Sequence, residues 1–322
     1  MALLLKEDDV RNLLTMEMAV AAVEEAFRQR GSSQAAVRPR IRMAMAGGSN
    51  NLMGGWVGGS INAYGLKTYG GPRGGDVRPT GMVVLLYDGS NGSLLSILEA
   101  GQLGRMRTGA ASGVATKYMA REDASTVGII GVGGQAATQL EAVCLVRDIR
   151  HAWVYSRTPE KREAFARQMS RELNITVDPA ETARDCVTNA DVIVTITNSA
   201  EPVIEGRWLS DGTHINAAGS NNMLHAEIDV ETIRHAALIA ADDVPQARTE
   251  CGELIAAVSG GAVRWEQVVE LGDIVAGRVA GRPSEEAITL FESQGIGTED
   301  VAAARVVYEA AVERGVGVEI PI

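Results

Sequence analysis

The run Ser125-Thr-Val-Gly-Ile-Ile-Gly-Val-Gly-Gly-Gln-Ala136 sets Gly131, Gly133 and Ala136 in a Gly-x-Gly-x-x-Ala spacing. Apolar Val127, Ile129 and Ile130 lead into it, and Leu140, Val143 and Cys144 follow at helical spacing. A strand–turn–helix of this kind can receive phosphates. Gly131 allows the tight turn, Gly133 lets backbone approach a pyrophosphate, and Ala136 lets the helix pack close to the strand. The free N–H groups and dipole of the helix N-terminus favour negative charge, so a dinucleotide is the expected ligand. The next strand ends Trp153-Val-Tyr-Ser156-Arg157-Thr158, with Lys161 beyond it. An NAD-preferring site has Asp or Glu here to accept the ribose 2′-OH. A hydroxyl beside cations suits a 2′-phosphate instead, which favours NADP(H) over NAD(H); otherwise Arg157 and Lys161 only cover the start of a helix.

Other residues of chemical interest are isolated. Lys67 stands in the apolar stretch Tyr64-Gly-Leu-Lys-Thr68, either snorkelling at the surface or buried as a cation facing an anionic or carbonyl ligand. Arg107, at the mouth of an expected helix, is either structural or a bidentate clamp for a carboxylate. The four histidines show no zinc spacing and there is no Gly-x-Ser-x-Gly, so neither a metal nor a serine nucleophile is expected. Gly70, Gly71, Gly74 and Gly75 lack the Lys-Ser/Thr ending of a P-loop and are read as a mobile loop.

The elements that must position these residues fall into two parts, as 322 residues lead one to expect. Leu3–Leu5 forms a short strand, and Thr15 caps a helix carrying Met16, Ala19, Val20, Val23 and Phe27 on one face until Gly31. In a strand, Arg40 and Arg42 point to the same side. The glycine-rich segment 43–59 is expected to be irregular. Strands at 64–68, 81–87 and 94–99 follow, the last two joined by the turn Asp88-Gly-Ser-Asn-Gly92. The N-terminal third is thus a helix with an antiparallel sheet. A helix at 108–118 and a linker at 120–124 lead to strands at 126–130, 152–155, 175–177, 191–196, 213–217 and 237–241 alternating with helices. That rhythm predicts an α/β fold with a Rossmann-type, doubly wound parallel sheet. Helices are expected at 266–280, 283–290 and 299–314.

Bulk properties exclude several classes. A net charge of −11 without blocks of like charge gives no basis for nucleic-acid or anionic-membrane binding. Three widely spaced cysteines fit a reducing compartment. No apolar run spans a bilayer and the N-terminus lacks signal-peptide features, so a cytoplasmic location is expected.

Five ordered motifs carry a resemblance over essentially the whole chain. They are Gly65-Leu-Lys67, Arg107-Thr-Gly-Ala-Ala-Ser-Gly-Val-Ala-Thr-Lys-Tyr-Met-Ala-Arg121, Gly131-Val-Gly-Gly-Gln-Ala136, Gly212-Thr-His-Ile-Asn-Ala-Ala-Gly219 and Ile288-Thr-Leu-Phe-Glu-Ser-Gln-Gly295. Together they resemble the ornithine cyclodeaminase/mu-crystallin family, which includes archaeal alanine dehydrogenases. The resemblance implies a homodimer joined through a substrate-binding and dimerisation domain (1–119 plus 300–322), with a dinucleotide-binding domain (120–299) outside. It implies that Lys67 and Arg107 hold a small imino or amino acid near the nicotinamide, assisted by Arg40 or Arg42, with Met53 lining the pocket. It also implies that Thr80, Thr108, Gly134, Gln135, Ser156, Thr197, Ile215–Ala218 (Ile215, Ala217 and Ala218 among them) and Ser293 border the cofactor.

One position departs from the pattern. The family's cyclodeaminases and alanine dehydrogenases follow His-x-Asn-Ala-x-Gly with a small residue and then an aspartate, the proposed acid/base. This chain has Ser220-Asn221, and Asn221 can hydrogen-bond but not exchange a proton. Cyclodeamination needs proton shuttling; hydride transfer to an iminium asks less, and mu-crystallin, a ketimine reductase, also lacks the aspartate. The expected activity is therefore an NAD(P)H-dependent ketimine reductase or amino-acid dehydrogenase. Its rivals are an ornithine cyclodeaminase-type ammonia lyase with bound NAD and a non-catalytic NADPH-dependent ligand-binding protein.

Overall fold

The computed structural model describes residues 2–72 and 81–321. Thr80, expected at the cofactor, lies outside the described residues, as do Gly74 and Gly75 of the expected glycine loop. The chain forms two compact units, Met1–Arg107 with Ile296–Ile322, and Thr108–Gly295. The first division thus falls at Arg107 within the helix Gly101–Met119, not at the 119/120 junction, and the second at 295/296 instead of 299/300. Packing explains the first shift. A Cβ on Gly109 would strike the Thr138 carbonyl, and one on Gly113 would come within 3.1 Å of the Ala142 methyl. The C-terminal half of that helix is therefore seated on the helix Ala136–Val146.

In the first unit, the described strands run across the sheet as Val318–Ile320, Ala2–Leu5, Leu94–Glu99, Val83–Asp88, Ala63–Pro72, Gly48–Val57 and Ala35–Val37. Ala2–Leu5 runs parallel to Leu94–Glu99, so the sheet is mixed, where the sequence predicted an antiparallel one. The segment expected to be irregular is a hairpin: Ile41–Met45 pairs with the ten-residue strand Gly48–Val57, turning at Gly47 with φ +76°. Its glycines and asparagines hide the alternation that marks a strand, and partners on both sides supply the order that local propensity lacks. Arg40 precedes the strand instead of lying in it with Arg42. The helix Met16–Gly31 forms as expected, with Thr15 Oγ1 accepting from the Met18 N–H at 3.3 Å.

The second unit is a parallel sheet ordered Thr176–Pro179, His151–Tyr155, Thr126–Ile130, Val192–Thr195, His214–Ala217, Ile288–Glu292, Ala236–Ala241 and Val268–Glu270. Chain order reverses between Thr126–Ile130 and Val192–Thr195, and ligands of doubly wound sheets bind at such a crevice. Val192 and Val194 join one apolar cluster and Ile193 the other, as period-two alternation requires when both faces are covered. Two expected helices are absent. Residues 283–290 lead into the buried strand Ile288–Glu292, and 266–280 divide into a 3₁₀ turn, the strand Val268–Glu270 and the short helix Leu271–Val275. A short apolar run does not distinguish buried strand from buried helix by periodicity alone. Among the described residues no helix is long and apolar enough to cross a membrane.

Candidate functional site

In the second unit a cleft of about 450 Å³ opens at the C-terminal ends of Thr126–Ile130, His151–Tyr155 and Val192–Thr195. Gly131, Gly133, Gly134, Gln135, Ser156, Arg157 and Thr197 line it, all of them expected at a dinucleotide. Gly131 has φ +106°, donates to the Tyr155 carbonyl at 2.9 Å, and a Cβ there would stand 2.5 Å from the Ile196 carbonyl oxygen. At Gly133 and Gly134 a Cβ would meet nothing within 4 Å. The turn is therefore closed by Gly131 and left bare above Gly133 and Gly134, space that fits a pyrophosphate. Gln135, at the N-cap of the following helix, makes no side-chain capping bond, and because it lines the cleft the N-terminus of that helix borders the same space.

Other expected cofactor neighbours lie elsewhere. Thr158 and Lys161 are exposed and do not line the cleft, while Ala136, Ile215, Ala217 and Ala218 are packed in the apolar clusters. Thr108 is buried, its carbonyl accepting from Gln139 Nε2. Ser293 is also buried, its N–H donating to the Ala217 carbonyl at 2.9 Å. Asn221 is half-buried in the loop after Gly219. His214 is fully buried between Thr289 and Asn216, and burial pushes its imidazole down to about 3, so it remains neutral.

Sequence reasoning missed Glu227. Its carboxylate accepts from the Thr197 N–H at 2.5 Å, the Gly219 N–H at 2.7 Å and Thr195 Oγ1 at 3.1 Å, tying together two loops that border the cleft. Burial raises its proton affinity, opposed by those bonds. Nearby, Cys251, Glu253 and Glu292 bring their polar atoms within 4.8 Å of one another, and burial raises Glu253 to about 7 and Glu292 well above the usual carboxylate range. Isolated acids in a sequence give no sign of such a meeting.

In the first unit, the expected cations are gathered. Lys67 is 2% exposed and pairs with Asp300 at 2.7 Å. Arg107 donates to Glu299 at 2.6 Å and its Nε stands 3.0 Å from the same Asp300 oxygen that bonds Lys67. Arg40 is buried and lowers the proton affinity of Lys67, whereas Arg42 is exposed. Burial first, then Arg107, brings Lys67 down to about 8 against the pull of Asp300. Met53 is paired across the strands with Lys67 and so shares its face.

Glycine makes this cluster possible. A Cβ on Gly55 would lie 2.6 Å from the Gly297 carbonyl carbon and the Thr298 nitrogen, and one on Gly297 would lie 2.5 Å from the Gly54 carbonyl oxygen. The first turn of the helix Gly297–Arg314 thus touches sheet backbone, which brings Glu299 and Asp300 to Lys67 and Arg107.

Comparison with known proteins bears on both sites. The ornithine cyclodeaminase/mu-crystallin family profile matches residues 2–315. Alanine dehydrogenase of Archaeoglobus fulgidus is 37% identical over 322 residues, covering 99% of this chain and 98% of that protein. The structure of Thermococcus litoralis Δ1-pyrroline-2-carboxylate reductase in complex with NADH and L-proline superposes with a TM-score of 0.93 at 36% identity, covering 99% of this chain and 100% of the other. An archaeal alanine dehydrogenase dimer with bound NAD superposes at 0.92 with 34% identity, covering 99% of each chain.

Proposed function

The chain belongs to the ornithine cyclodeaminase/mu-crystallin family, and on that premise we propose that it is an NAD(P)H-dependent oxidoreductase of α-imino acids, acting in reverse on α-amino acids. The observation that carries this reading is the buried cluster of Lys67, Arg107 and Arg40 with Glu299 and Asp300. Burying ion pairs costs several kcal/mol of desolvation, and apolar residues of similar volume would stabilise a fold as well or better. The cluster sets the cations Lys67, Arg107 and Arg40 together at one place beside Glu299 and Asp300, and gathered cations of this kind suit a substrate carboxylate. Arg107, Lys67 and Arg40 would orient that carboxylate, with Met53 against it; Arg42, exposed on its strand, is the weaker choice.

The second unit would hold the dinucleotide, with Gly131, Gly133, Gly134, Gln135 and Thr197 around the phosphates. Bound NAD(P)H would supply the hydride. Asn221 would hydrogen-bond the substrate nitrogen but cannot protonate it, so a proton needed there comes from Lys67 or water. The two related solved structures hold NADH and NAD. NADP(H) preference in this chain rests on Ser156 and Arg157 at the cleft wall. A homodimer joined through the first unit is consistent with Ile41, Met43 and Met45, which alternate along one strand and are each at least 45% exposed. Free cysteines fit a cytoplasmic location.

The test mixes purified protein with NADPH or NADH and a panel of cyclic ketimines, or of 2-oxo acids with ammonia or methylamine, and follows absorbance of the reduced nicotinamide. Consumption is expected, faster with NADPH. Ammonia release from ornithine with substoichiometric NAD and no net consumption would make the protein a lyase. Tight NADPH binding without turnover would support the ligand-binding reading.

A further inference from the structure

We propose that Asp300 is a positioning residue of the imino-acid site, one carboxylate oxygen fixing the spacing of Lys67 and Arg107 and keeping Lys67 charged. The inference rests on the reading that these two cations orient the substrate. Asp300 Oδ1 lies 2.7 Å from Lys67 Nζ and 3.0 Å from Arg107 Nε, so a single atom sets where both cations stand. Glu299, its neighbour on the helix, pairs with Arg107 at 2.6 Å from Nη1. The two acids therefore divide the work. Glu299 fixes the far side of the guanidinium, and Asp300 joins guanidinium to ammonium.

The surroundings of Lys67 make that oxygen consequential. Arg107 faces it from the helix Gly101–Met119, Arg40 from the segment before Ile41, and Glu299 and Asp300 from the helix Gly297–Arg314. The Tyr69 ring lies 5.5 Å from Nζ on the same strand, and Met53 and Val84 flank Lys67 across the sheet. Burial and two arginines all drive the lysine toward the neutral amine. Asp300 is the principal opposing charge, and it is held there by the glycine contact of Gly55 with Gly297 instead of by a flexible loop. A neutral Lys67 could neither attract a carboxylate nor give a proton to the substrate nitrogen.

The experiment uses the chain's four lysines, few enough for each to be followed by NMR of the ε-carbon-labelled full-length protein, with Lys67→Arg assigning the signal. In Asp300→Asn the Lys67 titration midpoint should fall by about one pH unit or more, as loss of an adjacent opposite charge requires. The alkaline limb of kcat/KM for imine reduction should move down by the same amount. Glu299→Gln should raise KM while moving the Lys67 midpoint less. If Asp300→Asn does not fold, Asp300→Glu serves: it should retain the midpoint and lower kcat/KM, because the charge stays and the spacing changes. A midpoint that stays or rises in Asp300→Asn, or unchanged kcat/KM in Asp300→Glu, overturns the proposal. A falling midpoint in a protein that reduces no imine supports the ion-pair role and rejects the functional reading alone.

Discussion

At the scale of single residues, the glycine turn separates two demands that the motif runs together. Gly131 is required by the fold: its φ is +106° and a Cβ would press on the Ile196 carbonyl. Gly133 meets no such obstacle, so only a ligand gives its bareness a purpose. Gly133→Ala should leave the melting temperature near that of the wild type and weaken dinucleotide binding tenfold or more, about 1.4 kcal/mol, measured by calorimetric titration. Gly131→Ala should lower both. Equal affinity in Gly133→Ala would mean that the backbone there does not approach the phosphates. Which glycines matter was legible in the spacing, but the separate reason for each was not, because it depends on the Ile196 carbonyl arriving from a strand far along the chain.

At the scale of elements, the cation cluster is an arrangement of one helix end against one sheet. The periodicity of 299–314 predicted that helix, and the apolar flanks of Lys67 predicted its strand. Neither showed that Glu299 and Asp300 would be set against Lys67 and Arg107, since those contacts join residues more than a hundred positions apart. The close approach depends on Gly55 and Gly297. Gly55→Ala should push the helix from the sheet, costing about 1–3 kcal/mol of stability by chemical denaturation, and should lower imine turnover by loosening Arg107 and Lys67. Retained stability together with retained turnover would show that the helix can shift without harm. The misassigned elements have a related cause. Ile288–Glu292 is short and wholly buried, and only its place between two parallel strands makes it a strand.

At the scale of the whole chain, the buried acids leave a signature in the dependence of stability on pH. Glu227, Glu253 and Glu292 all have raised proton affinities in the folded state, caused first by burial. Their contribution is therefore fully present below the unfolded value and is lost as pH rises through the folded one. For Glu253 that window runs from 4.5 to about 7. Glu253→Gln removes its term, so the variant's stability relative to wild type should grow across that window by up to about 3 kcal/mol, followed by thermal melts at successive pH values. A difference that does not change with pH would place Glu253 in water. The sequence by itself determined the two-part architecture, the parallel nucleotide-type sheet, the glycine turn and the cationic character of Lys67 and Arg107, because periodicity, turn chemistry and charge are local properties of the chain. Tertiary structure alone decided that Arg40 and not Arg42 is buried beside Lys67, that Asp300 bridges two cations, and that Glu227 ties the cleft loops. Each of these depends on burial and on partners brought together by the fold, and the energy of a charge is set by its surroundings.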